Sequence, residues 1–296
     1  MSFFLQLVAN GVVVGGIYAM VALGFVLIYK SSRVINFAQG EFLMVGAYVS
    51  LALMTTARVP PLPAFVLTLG FSIVLALLVE RLVLRPLIGE PVIAVIMVTL
   101  GLASVLRAVI QLCYGTDTRP FPELFSARPF LIAGIPVARG YLWGFCLSFV
   151  LLGLFLLFFK FTTAGVAMRA TAFDQVAALS MGVSVKRMFA MAWGIAAVVS
   201  AVGGFILGSI RGGIDMGLGG IGFKVIPVAL LGGLDSVPGA IVGGLLIGVL
   251  ENLSGGYLDP IFGGGVKEVA PFVVLVLILM VRPYGLFGTV EELERV

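Results

Sequence analysis

The sequence predicts an all-α integral membrane protein: a bundle of about eight transmembrane helices, one short or broken span, and one helix lying at the cytoplasmic surface. Three observations carry that expectation. Of 296 residues, 61% are hydrophobic and only 11% charged, where a water-facing domain carries about 25% charge. Apolar runs close to the roughly 20 residues that cross a bilayer recur along the whole chain. Lys and Arg stand singly at the ends of those runs, as membrane topology requires. The +4 charge and pI near 9.2 therefore do not indicate nucleic acid, which would meet a basic stripe. A 31.1 kDa chain of this kind reads as one transmembrane domain over 1–296.

The long runs cover 5–29, 34–56, 62–84, 92–113, 141–160, 188–210, 237–255 and 268–282. The shorter run 221–233 contains Pro227 and ends in Gly232-Gly233. No Lys or Arg precedes Lys30, so the first run is expected to be a retained span rather than a cleaved signal. With Lys30 and Arg33 cytoplasmic, alternation puts Arg81, Arg85, Lys160, Arg169, Lys186, Arg187 and Arg282 on the same side, and Arg58, Arg119, Arg128, Arg139, Arg211 and Lys267 outside. The N-terminus is then external and the C-terminus cytoplasmic, provided that 221–233 crosses, or dips in and lets Asp235 reach the cytoplasm.

Three connections follow from this topology. Residues 114–140 form the longest external loop, where Pro120, Pro122, Pro129 and Pro136 oppose a continuous helix. Residues 161–187 form the longest internal segment, with apolar positions at helical spacing, a stop at Gly182 and a basic cluster beyond. They describe a short helix at the cytoplasmic surface, suited to docking in a partner's groove, or alternatively a plain interfacial connector. The glycine-rich stretch 211–224 is expected outside, and the tail EELERV is expected to fray. Glycine numbers 39, roughly double the usual 7%. Pairs such as Gly11/Gly15, Gly204/Gly208, Gly239/Gly243 and Gly244/Gly248 have the small-xxx-small spacing that lets membrane helices approach closely, within the bundle or toward a partner subunit.

Polar groups within apolar spans are costly and tend to face a cavity or a partner. Asn36, Gln39 and Glu41 surround Gly40 where the second span begins. They suit a locally unwound helix start of the kind found at membrane substrate sites; they also suit a simple water boundary after Arg33. The fourth span adds Thr99, Ser104 and Arg107. Arg107 either snorkels to the outer surface or serves as counter-ion for a substrate carboxylate. Asp215 stands in the glycine-rich loop, able to meet a substrate ammonium or merely to solubilise the loop. Glu251 and Asn252 fit an external rim. Cys113 and Cys146 read as small apolar packing residues.

Catalytic chemistry is not indicated. There is no G-x-x-x-x-G-K-[ST] phosphate loop, so the chain is not expected to hydrolyse ATP. No G-x-S-x-G, H-E-x-x-H or paired-cysteine metal motif occurs, and histidine, the commonest proton relay and metal ligand, is absent. Missing histidine and few deep carboxylates also count against a self-contained, ion-driven carrier.

Against this background, GIYAMVALGFVLIYKSSRVINFAQGEFLMVGAYV, RPLIGEPVIAVIMVTLGLASVLRAV and VALLGGLDSVPGAIVGGLLIG resemble the first permease subunit of the branched-chain amino acid ABC importers. With 161–187, the resemblance covers nearly the whole chain. It implies a bacterial cytoplasmic (inner) membrane protein that works by alternating access with a second related permease subunit, two ABC ATPase subunits and an external solute-binding protein. ATP and Mg belong to the ATPase partners, and no cofactor to this chain. Importers of this type often carry Glu-Ala-Ala, three residues, then Gly where the ATPase docks; Val176-Ala177-Ala178 and Gly182 keep that spacing with Val176 replacing the Glu. The resemblance thus implies ATPase coupling through Arg169, Asp174, Ala177, Ala178 and Gly182. Asn36, Gln39, Glu41, Thr99, Ser104, Arg107 and Asp215 are the expected substrate pathway. The implied solutes are branched-chain amino acids or related amides, urea and aromatic acids.

Overall fold

A proline-free apolar stretch from Ser2 to Ser32 gives the 31-residue helix α1, about 46 Å long at 1.5 Å per residue. In the computed structural model, which describes residues 2–87, 90–124, 130–132 and 135–288, this helix is the hub. Its most apolar stretch is 89% buried, against 28%, 22% and 28% for the peripheral helices α3 (Pro61–Val79, running on to Leu87), α4 (Val92–Tyr114) and α5 (Arg139–Phe161). The remaining helices are α2 (Gln39–Thr55), α6 (Thr163–Phe173), α7 (Gln175–Ser180), α8 (Val185–Arg211), α9 (Ile221–Gly232), α10 (Val237–Tyr257), α11 (Asp259–Phe262) and α12 (Val266–Val281). Among the described residues six helices are long and apolar enough to cross a membrane; α2 and α12, at 17 and 16 residues, complete the eight expected runs. Arg128 and the tail EELERV lie outside the described residues.

At one end of the bundle, β1 (Arg119–Pro120) pairs antiparallel with β4 (Gly213–Ile214), tying the 114–140 connection to the end of α8, while β2 (Phe130–Ile132) and β3 (Ile135–Val137) form a small hairpin. At the opposite end Lys30 Nζ donates to Asp235 O at 3.0 Å. The α9–α10 turn therefore lies beside the end of α1, as charge alternation requires.

The tightest crossing is α1 on α10. A methyl group at Gly15 would stand 2.7 Å from Gly244 O, and one at Gly244 would stand 2.6 Å from Ala19 Cα. The small-xxx-small pairs on both helices thus serve packing inside the bundle. Close backbone contact replaces the hydrophobic drive that lipid does not supply.

Four expectations are corrected. The second helix begins at Gln39 rather than at 34, because residues 33–38 are unwound and Arg33 has φ of 57°. The stretch 216–224 is not an external loop: Met216–Gly220 forms a 3-10 turn that feeds directly into α9. Glu251 is not on a rim; it is 2% exposed and bonds Lys224 Nζ at 2.7 Å. Deep carboxylates are not scarce either, since Glu41, Glu80 and Glu251 are all buried and each is matched by a cation, the arrangement that makes a buried charge tolerable. Cys113 and Cys146 are free and face outward, where apolar sulfur meets lipid as readily as core.

The C-terminal end of α3 departs from regular helix. It widens into a π-helical turn at Glu80–Leu84 and tightens to 3-10 at Arg85–Leu87. Glu80 there accepts two bonds from Arg85, at 3.1 and 2.9 Å.

Candidate functional site: a broken helix pair and a cytoplasmic helix surface

After α1 ends, the chain turns back into the bundle as the non-helical segment 33–38 before α2 starts. The depth of that start follows from one bond. Gln39 Nε2 reaches Val21 O at 3.4 Å, and Val21 lies nine residues, or about 14 Å, above Lys30 along α1. From the other direction α9 is only 12 residues long, about 18 Å, and its C-terminal end lies at the Asp235 turn. Both α2 and α9 therefore begin near the middle of the bundle, and their first turns press together: a methyl group on Gly40 would stand 2.6 Å from Gly222 N. Only glycine permits this approach. Neither helix start has a side-chain cap.

Irregular backbone at membrane depth must find its hydrogen bonds within the protein, and three of the sequence-derived residues supply them. Asn36 Oδ1 accepts from Ala38 N at 3.0 Å and its Nδ2 donates to Gln39 Oε1 at 3.0 Å. Gln39 Nε2 donates to Ser200 Oγ at 2.8 Å, with Ala196 O at 3.3 Å. Thr99 Oγ1 accepts from Phe37 N at 3.5 Å, and the hydroxyl sits 2.9 Å from Ile96 O and 3.5 Å from Ile35 O. Asn36, Gln39 and Thr99 are at most 1% exposed, and these bonds fasten the unwound segment to α1, α4 and α8.

The next residues form the charged part of the site. Glu41 Oε1 accepts from Arg107 Nη2 at 2.8 Å, a bridge between α2 and α4. Glu41 is nearly sealed, its side chain 6% exposed, while Arg107 is 43% exposed. Gly219, in the 3-10 turn before α9, abuts both groups. Ser104 does not join them; its hydroxyl donates to Leu100 O at 3.1 Å on an exposed face of α4. Asp215 caps the 3-10 turn, accepting from Gly217 N at 2.7 Å. Among the described residues no three His, Cys, Asp or Glu side chains gather as a metal site.

On the far side of α9 lies a second charged group that the sequence reading missed. Lys224 bonds Glu251, Lys267 Nζ stands 3.9 Å from the same oxygen, and Tyr18 lies against the carboxylate. Placing Lys224 in a loop hid this pair. Ser200, an isolated hydroxyl within an apolar span, was the available sign of the Gln39 partner.

At the Lys30 end of the bundle, 161–187 forms α6 and α7. Thr162 Oγ1 accepts from Gly165 N at 3.0 Å to start α6. Asp174 Oδ1 accepts from Val176 N and Ala177 N, at 2.8 and 3.0 Å, to start α7. Arg169 donates to Phe159 O and stacks its guanidinium over the Phe159 ring, binding α6 to the end of α5. Gly182, at φ 82°, closes the turn before α8. Ala178 is 4% exposed and anchors α7, whereas Phe173, Val176 and Met181 are 94%, 73% and 84% exposed. Gln175 Nε2 donates to Ser31 O at 3.3 Å, joining α7 to the place where α1 gives way to the unwound segment.

The fold is similar to PsaBC from Streptococcus pneumoniae in complex with Fab, with a TM-score of 0.52 over 93% of this chain and 90% of that one at 15% identity. By sequence, the chain is 30% identical to the high-affinity branched-chain amino acid transport system permease protein LivH of Salmonella typhimurium, covering 99% of this chain and 98% of that protein. It is 31% identical to the permease protein BraD of Pseudomonas aeruginosa over the same shares. The sequence profile described as branched-chain amino acid transport system / permease component matches residues 7–282. This chain belongs to the branched-chain amino acid transport permease family.

Proposed function

We propose that this chain is one transmembrane half of an ATP-driven importer in the bacterial inner membrane, carrying branched-chain amino acids or related small polar solutes. A second related permease subunit supplies the other half. Two ATPase subunits, holding ATP and Mg, dock on α6–α7, and an external solute-binding protein delivers the solute to the face bearing β1 and β4. The N-terminus is external and the C-terminus cytoplasmic, in keeping with the placement of Lys30 and Asp235 at one end and the distribution of basic residues.

The observation that carries this reading is the α6–α7 surface: a capped, braced pair of short helices presenting bare Phe173, Val176 and Met181 to the cytoplasmic side. Exposed large apolar groups on an ordered helix favour a partner groove. Movement imposed there would pass through Arg169 into α5 and through Gln175 into the end of α1. From α1 it reaches 33–38 and the α2–α9 junction, where alternating access would open one side and then the other. Asn36, Gln39 and Thr99 hold that junction together, while Glu41 and Arg107 face the solute. Ser104 and Asp215 are peripheral to it, on the outer face of α4 and at the external mouth.

Arg169→Ala is the direct test in the purified, reconstituted complex. Removing the brace should cut solute-stimulated ATP turnover several-fold while the subunits still co-purify. Full stimulation in an assembled Arg169→Ala complex would contradict coupling through α6.

A further inference from the structure

The Glu41–Arg107 bridge uses one atom of each partner and leaves one over on each. Glu41 Oε2 and Arg107 Nε are both buried and without a hydrogen-bond partner among the described residues. The leftover groups are complementary in kind: a carboxylate oxygen that accepts and a guanidinium N–H that donates. A buried polar atom left in this state costs free energy unless something completes it. The Glu41 side chain is more than nine-tenths buried, whereas Arg107 is 43% exposed, so the pair is reached from the Arg107 side. Gly219 bounds the pair and packs nearest to Glu41 Oε2 itself: a methyl group there would collide with that oxygen and stand 2.7 Å from Arg107 Nη2 and 2.8 Å from Glu41 Oε1, so only a residue without a side chain leaves Oε2 any room.

We infer that Glu41 and Arg107 are the residues that read both charged ends of an α-amino acid during passage, Glu41 Oε2 taking the α-ammonium and Arg107 Nε–H the α-carboxylate. This rests on the importer function proposed above and deepens it. A zwitterion adds no net charge to a neutral ion pair, so it can enter without leaving a charge uncompensated at membrane depth. It also offers one donor and one acceptor group to the one acceptor and one donor left over. A free cation or a free anion would satisfy only half of the pair.

The test uses the whole complex in liposomes, with its second permease, ATPases and leucine-loaded binding protein, and reads two quantities: radiolabelled leucine moved per ATP hydrolysed, and ATP turnover stimulated by the loaded binding protein. Glu41→Gln and Arg107→Gln should each lower leucine moved per ATP by about tenfold or more, the scale of one lost charge-assisted bond. Stimulated ATP turnover, read in the same assembled complex, should fall by a clearly smaller factor than leucine transport. Arg107→Lys keeps the cation and the bridge but has no Nε–H, and it should show the same loss in a normally assembled complex; it stands in should Glu41→Gln fail to assemble. Wild-type leucine per ATP in Arg107→Lys, or a parallel fall in both quantities, overturns the assignment and leaves a structural bridge. A wild-type complex that hydrolyses ATP yet moves no amino acid instead overturns the importer reading on which the assignment rests.

Discussion

The unwound segment at 33–38 and the α6–α7 surface both interrupt the run of membrane helices, but they meet the interruption in opposite ways. At membrane depth the polar groups of the broken chain are bonded to the protein itself: Asn36, Gln39, Thr99 and Ser200 share them out, and glycines bring α2 and α9 into contact. On α6–α7 the backbone is also capped and braced, yet the large apolar side chains are left bare. Where water is excluded, an unsatisfied polar group is the expensive error. Where a partner is to be met, exposed apolar area is what the partner buries. The first region leaves only Glu41 Oε2 and Arg107 Nε without partners among its described polar groups at the junction, and the second leaves Phe173, Val176 and Met181 bare.

Substitutions can break this contrast from either side. The largest effect is expected at Glu251→Leu, which strands Lys224 without its close carboxylate. Losing one member of a buried pair costs about 3–5 kcal/mol, so the purified chain should melt well below wild type, and Glu251→Leu with Lys224→Leu should recover most of the loss. A double variant no more stable than the single one would show that the pair is not what holds α9 on α10. Next comes Gly40→Val, which forces the two helix starts apart and should cost about 1–3 kcal/mol by overpacking. An unchanged melting temperature for Gly40→Val would refute the close junction. Asp174→Ala removes the cap of α7 and should cost about 1 kcal/mol, visible as faster amide exchange over 175–180. The smallest change in the chain's own stability, within about 0.5 kcal/mol, is expected for Phe173→Ser with Met181→Ser. That pair should nonetheless abolish co-purification of the ATPases, and their retention would show that the bare surface is not the docking site.

The legibility of the molecule follows the same contrast. Each long apolar run became a helix, since runs of that length have no other stable form in lipid. Asn36, Gln39, Glu41 and Gly40 were rightly marked as a discontinuity, because polar residues beside a glycine within an apolar run contradict a continuous span. Their division of labour was not legible: Asn36 and Gln39 bind the chain to itself, while Glu41 reaches across to Arg107, 66 positions away. The pairing of Lys224 with Glu251, which the sequence places on an external rim, was not legible for a related reason. A lysine next to a glycine-rich stretch has the composition of a loop, and only the 3-10 turn at Met216–Gly220 shows that it lies inside the bundle.

Composition, run lengths and the placement of single basic residues determined the membrane class, the apolar runs that become helices and the place in the chain of the short-helix connection 161–187, because lipid imposes those constraints on each stretch independently of the others. Tertiary structure alone decided which charges are paired, which glycines touch, and which helix starts meet at mid-bilayer. Those depend on elements far apart in the chain, and the partner that makes a buried carboxylate tolerable leaves no mark in the residues around it.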